Sequence, residues 1–216
     1  GAGARYSTSL GPALSTFWEH RNLFGAGETF RAEAEGSAKA QPLEGSLSKP
    51  HFLRWDQTLK LSSSLNNERL EAYDRSAVEA FAGIDRRLTD DLTVGLGVSA
   101  DYARLSGGED GRSTLFGLPM TMALDTSDNP LDPSEGLRLT VEAIPYTGTY
   151  DGPVAFTKLR SELAAYVDLS GDGDTVLGSR INLGGMVGAG RSGIPPDKRF
   201  YAGGGGSVRG FGYQMA

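Results

Sequence analysis

The stretch Leu92-Thr93-Val94-Gly95-Leu96-Gly97-Val98-Ser99-Ala100-Asp101-Tyr102 alternates without a break. Successive side chains on a strand point to opposite faces. Leu92, Val94, Leu96, Val98, Ala100 and Tyr102 therefore share one face, and Thr93, Gly95, Gly97, Ser99 and Asp101 share the other. One face is aliphatic and the other is polar or bare. A period of two over this length predicts a strand, and an ordinary soluble strand holds only about five or six residues.

The same arithmetic repeats along the chain. Over 137–143, Leu137, Leu139, Val141 and Ala143 oppose Arg138, Thr140 and Glu142. Over 155–169, Leu159, Leu163, Ala165, Val167 and Leu169 oppose Lys158, Arg160, Glu162 and Asp168. Phe116, Leu118, Met120, Met122 and Leu124 oppose Gly117, Thr121 and Asp125; Leu177, Ile181, Leu183 and Val187 oppose Arg180, Asn182 and Gly184. Weaker alternation occupies 2–10, 12–20, 27–37, 42–49, 56–66 and 75–86. Turn-formers separate these segments, among them Gly25-Ala26-Gly27, Asp128-Asn129-Pro130, Asp151-Gly152-Pro153 and Gly171-Asp172-Gly173-Asp174. The expectation is about eleven strands joined as successive hairpins, antiparallel throughout, with no helical crossovers.

Strand length and face chemistry together point to a membrane. A tilted strand of about 9–11 residues crosses a bilayer core. A closed barrel needs lipid-facing aliphatic residues outside and tolerates charge and glycine around a wet lumen. An all-β, antiparallel, up-and-down transmembrane β-barrel is therefore expected. Because an open edge cannot face hydrocarbon, the eleven strands are expected to be the first part of a larger barrel. A soluble β-sandwich is the alternative that alternation alone leaves open.

Composition narrows the function classes. The 216 residues carry a formal net charge of −6, which argues against a phosphate-tracking surface and hence against a nucleic-acid partner. There is no cysteine, so disulfides, thiol nucleophiles and cysteine zinc sites are absent. No run of about 18 apolar residues exists for a spanning helix. The start, Gly1-Ala2-Gly3-Ala4-Arg5-Tyr6, lacks the layout of a signal peptide and reads as a strand, so the chain is expected to begin part-way through a longer protein. His20 and His51 are the only histidines, too few for a histidine-rich metal site. The glycine run at 203–206 lacks the ending of a phosphate loop, and no serine sits in a nucleophile elbow. Gly171–Asp174 is read as a hairpin turn before a calcium loop, and Asp128, Asn129, Asp132 and Glu135 as turn chemistry before a cation site. Trp18, Trp55, Tyr102, Tyr146 and Tyr166 are expected at membrane interfaces.

The last 22 residues, Pro195 to Ala216, are dense in glycine yet punctuated by Phe200, Tyr201, Val208, Phe211 and Tyr213. That mixture reads as a long loop folded into an enclosed place, delivering Arg209 to an acidic partner.

Three motifs make the chain resemble the BamA/TamA superfamily of outer-membrane assembly barrels along its entire length. Trp18-Glu19-His20-Arg21-Asn22-Leu23-Phe24-Gly25-Ala26-Gly27-Glu28 is similar to the family's first hairpin. Asp125-Thr126-Ser127-Asp128-Asn129-Pro130-Leu131-Asp132-Pro133-Ser134-Glu135-Gly136 is similar to its D-x-x-D-N-P-x-x-P-x-x-G turn, whose marked positions are Asp125, Asp128, Asn129, Pro130, Pro133 and Gly136. The tail resembles the long sixth surface loop, with Val208, Arg209, Gly210 and Phe211 as the V-R-G-F tip and Asp197, Arg199, Phe200, Tyr201, Gly203 and Gly204 as its support. The form of 195–204 is closer to TamA than to BamA.

The resemblance implies strands over 1–190 and a lumen loop over 191–216, in a sixteen-stranded barrel with periplasmic domains before it. It implies location in the bacterial outer membrane and insertion or secretion of β-barrel or autotransporter clients through a lateral seam, without nucleotide hydrolysis. No enzymatic activity and no cofactor are expected. The implied partners are outer-membrane lipid, unfolded client proteins and a periplasmic protein of TamB type. A two-partner secretion exporter, a passive pore and the membrane anchor of an enzyme are alternatives on the same barrel.

Overall fold

The computed structural model describes residues 1–7, 11–69, 73–107 and 110–201. Among them the chain runs as one antiparallel meander: β1 (Ala2–Ser7), β2 (Gly11–Arg21), β3 (Thr29–Ser37), β4 (Leu43–Pro50), β5 (Gln57–Arg69), β6 (Asp74–Arg87), β7 (Leu92–Ser106), β8 (Gly111–Gly117), β9 (Met120–Asp125), β10 (Gly136–Tyr150), β11 (Pro153–Asp168) and β12 (Val176–Val187). Each strand pairs with the next, except that β8 and β9 do not pair with each other and both pair with β7 and β10; within the described sheet β1 and β12 are the outermost strands. No second layer covers the sheet among the described residues, which removes the sandwich reading.

Twelve segments make eleven rows, because β8 and β9 lie end to end between β7 and β10. Their registers agree: Ser99 opposes Gly117 and Leu96 opposes Met120, so the two missing pairs fall opposite Val98 and Gly97 with no residue inserted. The break at Leu118-Pro119 has a local cause. Gly97 donates its N–H to the Pro119 carbonyl at 2.9 Å, but Pro119 has no N–H to return. Leu118 likewise donates to the Pro145 carbonyl at 3.0 Å, and Pro145 has none to give back. Two prolines on adjacent strands each delete one rung, and the ladder lapses for two residues.

The two faces sort as the alternation requires. On β7, Leu96, Val98 and Tyr102 are exposed, Val98 to 58%, while Asp101, Ala103 and Leu105 are buried. The outer row continues across the sheet through Leu61, Val78, Phe116, Leu159, Ile181 and Leu183. Such a continuous apolar surface on a single sheet calls for a non-aqueous neighbour.

The inner face differs from the expected wet, charged wall at one end. Leu105, Leu115, Tyr150, Val154 and Phe156 point inward near the 107–111 and 151–152 connections and pack with Tyr73 into a dry cluster. Alternation over 92–102 stops just short of this change, since the inner row becomes apolar only at Ala103 and Leu105. Tyr146 also faces inward, 5.1 Å from the Phe156 ring. Tyr166 does too, under the Arg138 guanidinium at 5.7 Å. Both depart from the expected interface positions. Trp18, Trp55 and Tyr102 do stay exposed, Trp18 beside Phe30 at 5.7 Å.

Candidate functional site

Two constructions stand out, one at each end of the strands. At the end formed by the 22–28, 51–56, 88–91, 126–135 and 169–175 connections, side chains close the turns on themselves. Asp128 accepts from the Ser134 N–H at 2.9 Å and the Glu135 N–H at 3.0 Å, and from the Ser134 hydroxyl. These bonds, the Ser134 hydroxyl first, hold its carboxyl down at about 2. Asn129 Oδ1 takes the Leu131 N–H at 2.9 Å. Asp125 accepts from Ser127 and from Arg138 Nε at 3.3 Å, and Arg138 Nη2 reaches the Asn129 and Pro130 carbonyls at 3.0 and 2.8 Å. Arg138 thus ties the whole motif to β10. Sequence reading gave it no role beyond a polar face.

Gly136 closes this turn with φ +98°, and a Cβ there would lie 2.3 Å from the Thr126 carbonyl oxygen. Gly136→Ala is expected to destabilise the hairpin by about 1–3 kcal/mol, seen as a lowered urea midpoint of the full-length barrel. Asp125 and Asp128 are spent on donors of Ser127, Ser134, Glu135 and Arg138. Among the described residues no group of carboxylates and histidines has the arrangement of a metal site. In the 22–28 connection the fully buried Glu28 plays a comparable part, accepting from the Ala26 N–H at 2.9 Å and the Phe24 N–H. Gly27 meanwhile donates to Asn22 Oδ1 at 2.8 Å.

The second construction lies on the inner wall. After β12 the chain forms two short 3-10 turns, Arg191–Gly193 and Pro196–Lys198. Ile194, 4% exposed, enters the dry cluster beside Leu105, Tyr150 and Phe156. Asp197 and Lys198 then meet charged side chains of β6 and β7. Arg75 Nε lies 3.2 Å from Asp197 and Arg75 Nη2 3.2 Å from Asp101; Arg75 also pairs with Glu79, and with Glu68 at 3.7 Å. Lys198 Nζ lies 2.8 Å from Asp101, 3.3 Å from Asp197 and 3.5 Å from Glu79.

Burial works against the Lys198 charge, yet Asp197 and Asp101 outweigh it and hold the ammonium above the usual lysine range. Arg199 Nε donates to the Ile194 carbonyl at 2.9 Å, closing the second turn. The tip of the Phe200 ring abuts Gly184 on β12, with the Lys158 ammonium 4.9 Å from its ring centre. Tyr201 leans on Tyr73 at 6.0 Å.

The structure thus brings Asp197, Arg199, Phe200 and Tyr201 onto one stretch against the inner wall. Gly203, Gly204, Val208, Arg209, Gly210 and Phe211 lie outside the described residues. Arg75, Glu79 and Asp101 were not singled out from sequence, because their partners stand up to 122 positions away.

A family model described as the Omp85 superfamily domain matches residues 22–216. This chain belongs to the Omp85 superfamily. Among solved structures, BamA from Haemophilus ducreyi lacking POTRA domains 1–3 superposes with a TM-score of 0.85 at 16% identity, over 99% of this chain and 45% of that one. CdiB from Acinetobacter baumannii superposes with a TM-score of 0.58 at 14% identity, over 97% of this chain and 41% of that one. No curated protein matches. The likeness to both structures is one of fold, and the chain spans less than half the length of either. Omp85 membership places the barrel in the bacterial outer membrane, with Leu96, Val98 and Phe116 exposed on its aliphatic face.

Proposed function

We propose that this chain is the leading part of an outer-membrane barrel that inserts or secretes β-rich client proteins through a seam beside β1, without nucleotide hydrolysis. The observation that carries the reading is β1 itself. It is a six-residue strand, running from Ala2 opposite Thr16 to Ser7 opposite Gly11, while β2 beside it runs 11 residues. A short strand carrying Gly3 and Ser7 is weakly held and offers little apolar surface to a neighbour, which suits exchange with an incoming client strand.

In this reading residues 1–190 form the wall and 191–216 a loop within it. Asp197, Arg199, Phe200, Tyr201, Gly203 and Gly204 support a tip of Val208, Arg209, Gly210 and Phe211. The turn residues Asp125, Asp128, Asn129, Pro130, Pro133 and Gly136 keep β9 and β10 in register. The form of 195–204 favours a TamA-like member, acting on unfolded outer-membrane or autotransporter clients in contact with outer-membrane lipid and a periplasmic protein of TamB type.

A disulfide between β1 and the strand that closes the full-length barrel tests the seam. Client assembly should stop under oxidising conditions and return with reductant. Assembly that continues at full rate through a closed seam would contradict the proposal.

A further inference from the structure

We propose that Arg104 and Arg112 form an outward-facing clamp for the phosphate monoester of a membrane lipid, with its acyl chain in the apolar groove beside them. Both are exposed on the face shared by Leu96, Val98 and Tyr102, at the end of the strands that bears the 107–111 and 151–152 connections. They are direct partners across the β7–β8 ladder. Gly97 donates to the Pro119 carbonyl, so the odd-numbered positions of β7 are the hydrogen-bonded pairs and Arg104 with Arg112 is not one of them. In a pair of that kind the Cα atoms stand only about 4.5 Å apart and the side chains leave the sheet close together. Like charges directly opposite one another destabilise a sheet. Nothing in the protein relieves them: among the described residues neither arginine makes an ion pair, and Asp74 on the same face stands opposite Arg69 and Ser106. A phosphate between two planar forks takes a bidentate bond from each and turns that repulsion into binding.

The groove makes the occupant a lipid and not a free anion. It has a volume of about 330 Å³ and includes Arg104 in its lining. Two successive outward rows of β5, β6 and β7 build it. In the first, Leu65 opposes Val78 and Val78 opposes Tyr102; in the second, Asn67 opposes Ser76 and Ser76 opposes Arg104. Aliphatic side chains and an aromatic ring therefore give way to hydrogen-bonding groups and then to two cations. That is the order of a lipid read from chain to phosphate. Charge selects the headgroup. A phosphate monoester carries close to two negative charges at neutral pH and matches two guanidinium groups, whereas a phosphodiester carries one.

The inference needs the outward face to meet lipid and uses nothing about clients or the seam. The full-length protein in neutral detergent micelles is titrated with phosphatidic acid, a monoester, and with phosphatidylglycerol of the same chains, a diester; native mass spectrometry reads the lipid retained. Phosphatidic acid should bind roughly tenfold more tightly, and Arg104→Gln or Arg112→Gln should each weaken it roughly tenfold, with Arg104→Lys between. Arg86→Gln, at the opposite end of β6 where Arg86 pairs with Asp56 at 2.7 Å, should bind like the parent. Without phosphatidic acid, Arg112→Gln should unfold at or above the parent's midpoint, since it removes a like-charge contact; adding the lipid should raise the parent's midpoint and not the variant's. Heat-modifiable migration reports folding, and the preference of the parent for the monoester requires no variant. Equal affinity for the two lipids, parent affinity in both folded Gln variants, or an equal loss in Arg86→Gln would overturn the clamp. Displacement of the lipid by millimolar inorganic phosphate would overturn the assignment to a lipid, because the groove would then contribute nothing.

Discussion

Val98→Arg in the full-length protein is expected to cost about 2–4 kcal/mol of folding free energy in lipid, the penalty for a cation near the bilayer midplane on the outer side of a barrel. Val98 sits near the middle of the 15-residue β7 and is 58% exposed on the aliphatic row. The control is Ser62→Arg on β5, where the side chain lines the inner cavity and a guanidinium can stay hydrated. That change should cost well under half as much. Urea titrations of refolding into vesicles, read by heat-modifiable migration, separate the two. Equal penalties would mean that the faces have been assigned the wrong surroundings.

The second large effect is expected at Arg75. Its guanidinium touches Asp197, Asp101, Glu79 and Glu68, and it is only 8% exposed. Arg75→Met leaves Asp197, Asp101 and Glu79 with Lys198 as their one remaining cation among the described contacts. Breaking a buried network in this way costs about 3–5 kcal/mol, because the buried Asp101 and Asp197 carboxylates lose a partner and cannot regain water. Arg75→Lys should fall between, since an ammonium cannot span the four acceptors as a planar fork does. The same urea titration, with the unfolding midpoint of each variant, supplies the comparison. A wild-type midpoint for Arg75→Met would show that the network does not hold the loop and wall together.

How much of this was legible in the sequence depended on the distance between interacting residues. Leu92 to Tyr102 announced a strand and its two faces because the period-two rule acts between neighbours, and eleven rows follow from repeating it. The lapse at Leu118-Pro119 was not legible, because it needs Pro145 opposite Leu118 on the next strand, a fact of register. The dry cluster was missed because Leu105, Leu115 and Phe156 look like members of short alternating runs, and only the closing loop brings Ile194 onto them.

The turn motif was readable as Asp, Asn, Pro and Gly chemistry within a dozen residues. Its tether Arg138 and the comparable Glu28 had no local signal beyond a charge near a turn. The least legible feature was the ion network. Arg75 and Asp197 are separated by 122 positions, and a lysine following an aspartate in a loop looks like ordinary solvated surface. A usable hint existed: Asp101 interrupts the glycine and serine positions of an otherwise uncharged inner row. A carboxylate at that depth needs a cation, and the chain had to supply one from elsewhere.

The account rests on lipid lying against one face of β7 and water or packed protein against the other. Single cysteines placed in turn from Val94 to Asp101 in the full-length protein, each carrying a nitroxide, report this directly through collision with oxygen dissolved in lipid and with a water-soluble nickel complex. Oxygen accessibility should rise at 94, 96, 98 and 100 and fall at 95, 97, 99 and 101, with period two. A profile of opposite phase, or one in which 96, 98 and 100 are shielded from both reagents as under a second protein layer, would contradict it.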